Sequence, residues 1–442
     1  MISAIPTAAR SIDEYREHAG DDLIEEIVSL AEPLRGSRIL HLSAVPSRAG
    51  LSGTVSTLTS LSRDIGLAAE WRVIRTRPEQ IVVNQALNRA LNGYFIRWTP
   101  EMSDLWLGQG EENLGISPYD YDFIVLHDAE LAGTVAGGSW LDRARGARWI
   151  WHCHSDASKA QPEVRDLLMS HTQQYHRRII SSTEQSPIGS YDAYSTVPPT
   201  IDPLDLRNRD LPEKFVEMVL RCYGINPKRP FALSFLRDEQ DVSVASHVIG
   251  GFRLAKEQVP ELQLLVLVGD DASDSSDGAN LAKGSAGRKN ASPLFADLAG
   301  KTEGCRDVHL VPMPRGIGSV AINAFQQAAV AVIEGSEDEQ LTMNLLEAMW
   351  KMRPVIVGKR SADRLSITDG HNGRVARLAE EIGRHIVRLA EPCLMAKIIG
   401  QAAREHVRES FLITRLLHEY LTILRELSGR KLVAVASAAA AN

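Results

Sequence analysis

Short apolar runs, rich in β-branched and aromatic residues, alternate along most of this chain with longer stretches of helical periodicity. Ile12 to Leu34 carries apolar positions at helical spacing and predicts a leading helix, segment 1–34. After a proline and a glycine, Arg38-Ile-Leu-His-Leu42 reads as a buried strand that opens a domain. Ser43 to Ser52 is small and polar, and a helix follows from about Gly53 to Ile65. Glu70 to Arg75, Asp122 to Leu126 and Arg148 to His152 are the next strand candidates, with helical segments between them. Parallel neighbours need long crossovers, so this alternation predicts a doubly wound parallel sheet.

Thr196-Val-Pro-Pro-Thr-Ile-Asp-Pro203 interrupts the pattern. Its prolines cannot continue a sheet centre or a helix, so it reads as an interdomain linker. A second alternation follows, with strand candidates at Phe231 to Phe235, Leu262 to Val268, Val308 to Val311, Val330 to Glu334 and Val355 to Val357. The predicted fold class is therefore α/β, with two Rossmann-like domains, 35–198 and 199–412, facing one another. Residues 270–300 are rich in Asp, Ser, Gly and Ala and read as a surface loop or insertion. A long amphipathic helix or pair, Cys393 to Leu427, closes the chain before an Ala-rich, fraying tail at 433–442.

Composition changes this picture little. At 442 residues the chain exceeds one ordinary core, in keeping with two domains. A formal net charge of −7 gives no electrostatic footprint for nucleic acid. No stretch approaches the roughly 20 apolar residues that cross a bilayer, and the N-terminus lacks a secretory pattern, so no membrane partner is expected and the expected location is cytoplasmic. Cys153, Cys222, Cys305 and Cys393 are scattered, without zinc spacing, and read as reduced thiols.

Candidate chemistry lies just after the predicted strands, where doubly wound sheets bind ligands. In Ala49-Gly-Leu-Ser-Gly-Thr54, Gly50 and Gly53 would admit a sugar or phosphate close to backbone; a plain tight turn is the alternative. His127-Asp128 and His152-Cys-His154-Ser-Asp156 place ionisable groups at two strand ends. These suit sugar hydroxyls or proton handling, or else are buried, satisfied histidines. In the second half, Glu339 and Glu347 flank a predicted loop-to-helix junction. If Glu339 is on the loop and Glu347 in the first turns, both reach one ligand; a solvated acidic helix start explains them equally well.

Glu339-x7-Glu347, followed by Ala348-Met-Trp-Lys351 and Arg353-Pro-Val-Ile356, resembles the signature of retaining glycosyltransferases of the GT-B fold. Trp149 to Asp156, Pro199 to Pro203 with Arg207-Asn-Arg209, Ile322 to Gln326 and Ala403 to Arg415 narrow the resemblance to the trehalose synthases. The matching segments run in order from about residue 35 to residue 425. The resemblance implies an N-terminal acceptor domain, a C-terminal nucleotide-sugar domain, and a helix at 413–432 crossing back to the first. It implies His127, Asp128, His154 and Asp156 at the acceptor, with His154, Asp156 and Glu339 closest to the chemistry. Gly50 and Gly53 would lie near the donor phosphates, Glu339 on the transferred glucose and Glu347 on the donor ribose. Arg237, Arg315 and Asn323 complete the expected donor set. A sugar and a nucleotide-sugar are the implied small-molecule partners, with no cofactor and no metal, and a homodimer is compatible with the sequence.

Two departures bear on activity. The family places an Arg after the first strand of the second domain and a Lys five residues later; Phe235 and Gln240 stand there. Losing one preorganised donor to developing charge costs about 10²–10³ in rate, so Arg237, Arg315 or Lys359-Arg360 would have to replace them. The family's Gly-Phe-Gly after the first Glu is replaced by Gln340-Leu341-Thr342. Three readings stay open: an active transferase joining glucose to glucose or a related sugar, a catalytically silent relative with a binding, regulatory or assembly role, and a trehalose phosphorylase-like activity.

Overall fold

The computed structural model describes residues 3–44, 51–74, 76–109, 120–133, 146–154, 160–180, 194–236, 242–269, 293–313, 318–334, 339–391 and 394–439. At 3–4, 51, 293, 339–341 and 430–439 only the backbone is described. The chain forms two compact units, Met1–Asp202 with Ser410–Asn442, and Pro203–Glu409. Both are α/β, as the alternation predicts.

The first unit is built on β1 (Ser3–Ala4), β2 (Arg38–Ser43), β3 (Ala68–Val73), β4 (Phe123–His127), β5 (Arg148–Cys153), β6 (Arg177–Ile180) and β7 (Tyr194–Thr196). Their order is β1-β3-β2-β4-β5-β6-β7, parallel except for the antiparallel β1–β3 pair. The strand order reverses direction between β2 and β4, the switch point of a doubly wound sheet. β4 is buried along its whole length, because helices cover both faces of such a sheet. Leu40, Leu42, Ile124, Leu126, Trp149 and Trp151 form one face of the core with Leu87 and Trp106 from the neighbouring helices. Helices Pro78–Leu91, Pro100–Leu107 and Pro162–Thr172 each open on a proline, whose missing N–H costs nothing there.

The leading segment is not one helix. Gly20, at φ +89°, separates Arg16–Ala19 from Asp21–Ala31, and single 3₁₀ turns flank the two. Apolar spacing continues across such a break, so periodicity alone does not reveal it. Strands β6 and β7 escape a hydrophobic pattern because polar side chains on them are paired. Arg177 bonds Glu426 of the C-terminal helix, and the Arg178 guanidinium lies 4.1 Å from the Tyr194 ring centroid. That helix, Ile413–Ala439, packs on helices Asp21–Ala31 and Leu51–Asp64. Its approach is fixed by Ile201 N–H donating to Phe411 O at 2.8 Å and Ile413 N–H donating to Ile201 O at 2.9 Å. Its backbone stays helical through Ala439, past the point where fraying is expected.

The second unit holds β8 (Phe231–Leu236), β9 (Gln263–Gly269), β10 (Val308–Met313), β11 (Ala331–Glu334), β12 (Val355–Val357) and β13 (Arg374–Val375). All pairs are parallel, in the order β10-β9-β8-β11-β12-β13, again with a switch point beside the first strand. Helices Val242–Gln258 and Ala379–Ala390 cross at Gly251 and Gly383. A Cβ on Gly251 would lie 2.7 Å from Ile382, and one on Gly383 would lie 2.9 Å from the Gly251 carbonyl. No helix among the described residues is long and apolar enough to cross a membrane.

Candidate functional site

Strand register gathers four histidines at the switch point of the first unit. His41 on β2 pairs with Val125, two residues before His127 on the same face of β4. His127 pairs with His152 on β5, and His154 follows two residues later on the same side. The rings form a line: His41 Nδ1 lies 3.0 Å from His127 Nε2, and His127 Nδ1 lies 2.9 Å from His154 Nε2. The His152 ring lies against His154, centroids 3.7 Å apart, and its Nδ1 is 2.6 Å from the hydroxyl of Tyr420 on the C-terminal helix.

Burial decides the charge of this cluster. His41 is pushed down to about 3, first by burial and then by the nearby charges of Arg63 and His154. His127 and His152 are held well below the ordinary imidazole range, again by burial first. Each neutral ring presents one donor and one acceptor nitrogen, a set that suits sugar hydroxyls or a metal ion.

Asp128 carries a strained backbone at the centre of the group, with φ +66° and ψ 175°, a region that non-glycine residues rarely enter. Hydrogen bonds to described residues hold it there. Its N–H donates to His152 O at 2.8 Å, its carbonyl accepts from Trp151 Nε1 at 2.9 Å, and its Oδ1 accepts from the His154 N–H at 3.0 Å. The strain turns the Asp128 carboxylate back toward the end of β5, fixing the position of His154.

The expected acceptor residues His127, Asp128 and His154 are thus brought together, while Asp156 lies outside the described residues. Gly53 sits in the first turn of helix Leu51–Asp64, and no described atom lies within 4 Å of where its Cβ would be. Gly50, Arg237, Gln240 and Arg315 lie outside the described residues. His152 belongs to the strand-end cluster named from the sequence, whereas His41 and Tyr420 do not. The i, i+2 spacing of His152 and His154 was the available signal; Tyr420, 268 residues from His152, gave none.

The second unit arranges its carboxylates differently from the sequence expectation. Glu339 is the first residue of helix Glu339–Trp350 rather than a loop residue, and its side chain is not among those described. Glu347 lies about 12 Å further along the axis at the usual rise per residue, not in the first turns. Its carboxylate accepts from Arg207 Nε at 2.6 Å, Arg207 Nη2 at 2.7 Å and Gln326 Nε2 at 3.1 Å. Lys351 Nζ closes the network, donating to Asn208, Gln326 and the Glu347 carbonyl. Asn323 is fully buried and donates to the carbonyls of Leu206 and Arg209 at 2.9 and 2.7 Å. Glu347 and Asn323 therefore both anchor the 205–210 segment. Phe235 is buried at 3% exposure near the end of β8, beside Glu334 in register.

A family model described as the trehalose synthase N-terminal domain matches residues 41–187, the stretch that carries all four histidines. Trehalose synthase of Rubrobacter xylanophilus is 28% identical over 435 residues, covering 97% of this chain and all of the relative. The chain is similar to the trehalose synthases along nearly its whole length. A second trehalose synthase, from Thermococcus litoralis, is 29% identical over 419 residues, covering 94% of this chain and 97% of its own. Among solved structures, the α,α-trehalose 6-phosphate synthase of Burkholderia multivorans superposes with a TM-score of 0.65 at 12% identity, over 90% of this chain and 98% of that one. That likeness shows the GT-B fold of this chain.

Proposed function

We propose that the protein is a trehalose synthase-like glycosyltransferase that moves glucose from a nucleotide-sugar to glucose or a related sugar, with retention. The convergence of His127, Asp128 and His154 on one strained, buried switch point carries this reading. The neutral His127 ring, the His154 ring and a carboxylate there can pair the hydroxyls of a sugar acceptor, and the near full-length similarity to trehalose synthases supports that assignment. Asp156 belongs to the same acceptor set. On the donor side, Gly50 and Gly53 serve the phosphates, Glu339 the glucose hydroxyls and Glu347 the ribose, with Arg237 and Arg315 supplying positive charge and Asn323 shaping the segment beside them. The leaving phosphate itself helps to take the acceptor proton, so no protein nucleophile and no cofactor enters the step.

The buried Phe235, where the resemblance implies a cation, favours a second reading in which the scaffold binds sugar without turning it over. Incubation with UDP- or ADP-glucose and glucose, read as trehalose and released nucleotide, separates the two. Turnover at ordinary enzyme rates, on the order of 1–10³ per second, with at least about 10²-fold loss in His154→Ala, supports the transferase. Calorimetric binding of the sugar nucleotide without trehalose supports the silent scaffold, and absence of both defeats either reading.

A further inference from the structure

We propose that His127, His152 and His154 form a binding site for a zinc-class divalent cation. Their ring nitrogens lie within 4.8 Å of one another, at the ends of two adjacent strands. His127 and His152 are buried, so the donor set is fixed by the sheet and not by mobile surface chains. His127 Nδ1 and His154 Nε2 already meet at 2.9 Å, and the engagement of His152 Nδ1 by Tyr420 leaves His152 Nε2 as its donor to the ion.

Three features fit zinc in particular. Imidazole is among its preferred donors, and three protein ligands with one position left for water or a hydroxyl is a common arrangement. Ligating imidazoles usually have the second ring nitrogen held by another group, which sets the tautomer. Here His127 Nε2 is held by His41 at 3.0 Å and His152 Nδ1 by Tyr420 at 2.6 Å. With His41 Nδ1 accepting, His127 keeps its proton on Nε2 and turns the Nδ1 lone pair to the ion. Finally, the His127–His154 edge has little to rearrange, whereas the His152 ring, stacked on His154 with centroids 3.7 Å apart, must splay outward to share the ion. Zn–N bonds of about 2.0–2.1 Å put the edge of a tetrahedron near 3.4 Å, so the 2.9 Å separation of His127 and His154 must widen by only about half an ångström. The proton that now lies between those two nitrogens moves to the far nitrogen of its own ring as the metal enters.

This site does not depend on the transferase reading, although it shares His127 and His154 with it, and its test needs no activity. The full-length protein is stripped with a chelator and titrated with Zn²⁺ by equilibrium dialysis and calorimetry, and with Co²⁺ by visible absorption. We expect saturation at one ion per chain and an intense cobalt spectrum of four-coordinate type. His152→Gln should weaken binding by on the order of 100-fold and Tyr420→Phe, which leaves all three ligands in place, by about 10-fold. The exposed His371→Gln should leave it unchanged. Circular dichroism identifies any variant that fails to fold, and Tyr420→Phe retains the aromatic packing. Absence of saturable binding to the wild-type chain overturns the proposal, as does Zn²⁺ affinity that His152→Gln and Tyr420→Phe both leave intact.

Discussion

Replacing Glu347 with Gln tests how the second unit is held together. The side chain keeps its shape and loses its charge. Its carboxylate now accepts three hydrogen bonds, two from Arg207 and one from Gln326, at 5% side-chain exposure. An amide presents one oxygen and one NH₂, so one Arg207 donor would face another donor. Removing one partner of a buried ion pair typically costs about 3–5 kcal/mol. The Arg207 side chain is 26% exposed and can recover some hydration, which favours the lower end. Arg207 Nη2 also keeps its bond to Asn344 Oδ1 at 2.7 Å. The expected loss is therefore about 3 kcal/mol, on the order of 100-fold in the local opening equilibrium. Hydrogen exchange read by mass spectrometry on peptides from helix Glu339–Trp350 measures it directly. A double-mutant cycle with Arg207→Met should give a coupling of about 2 kcal/mol. A protection change below tenfold, or a coupling no larger than that of an exposed pair, would refute the argument that this pair anchors the 205–210 segment.

Three further outcomes follow from the structure. Burial pushes the Lys351 ammonium down to about 7, with Glu347 pulling the other way and Arg207 adding to the depression. Between about 7 and the ordinary 10.5 the unfolded chain holds a proton that the folded unit has shed, so this group's contribution to stability rises with pH across that window. Lys351→Met should flatten that rise in urea melts taken from pH 7 to pH 10. Asp128→Gly should relieve about 1–3 kcal/mol of backbone strain and lose about 1 kcal/mol with the acceptor for His154 N–H. Its melting temperature should rise while trehalose formation falls, whereas Asp128→Asn, which keeps the acceptor oxygen, should melt near wild type; a lowered melting temperature for Asp128→Gly contradicts the strain argument. At Gly400 a Cβ would sit 2.1 Å from the Met352 carbonyl oxygen, a backbone atom that cannot swing aside. Gly400→Ala should cost about 3 kcal/mol in a denaturant titration, and a neutral result would show that helix Leu394–Ser410 shifts freely.

Sequence alone determined the parts of this protein that depend on local pattern. Apolar runs such as Phe123 to Leu126 and Leu264 to Val268 can only be satisfied between two covering layers, so they declare a doubly wound sheet without any long-range information. The prolines near residue 200 mark the change of unit for the same local reason. The placing of His127, Asp128 and His154 at strand ends was legible from the local pattern that precedes each of them. The tertiary structure decided what those groups touch. It bonds His41 to His127 through the register of β2 on β4, and brings Tyr420 to His152 from the far end of the chain. It also joins Glu347 to Arg207 across 140 positions. Those pairings are set by strand register and helix packing, which place residues distant in sequence within bonding distance, and no periodicity within a segment encodes them. The neutral state of His41, His127 and His152 has the same origin, since desolvation belongs to the assembled core and not to any residue in isolation.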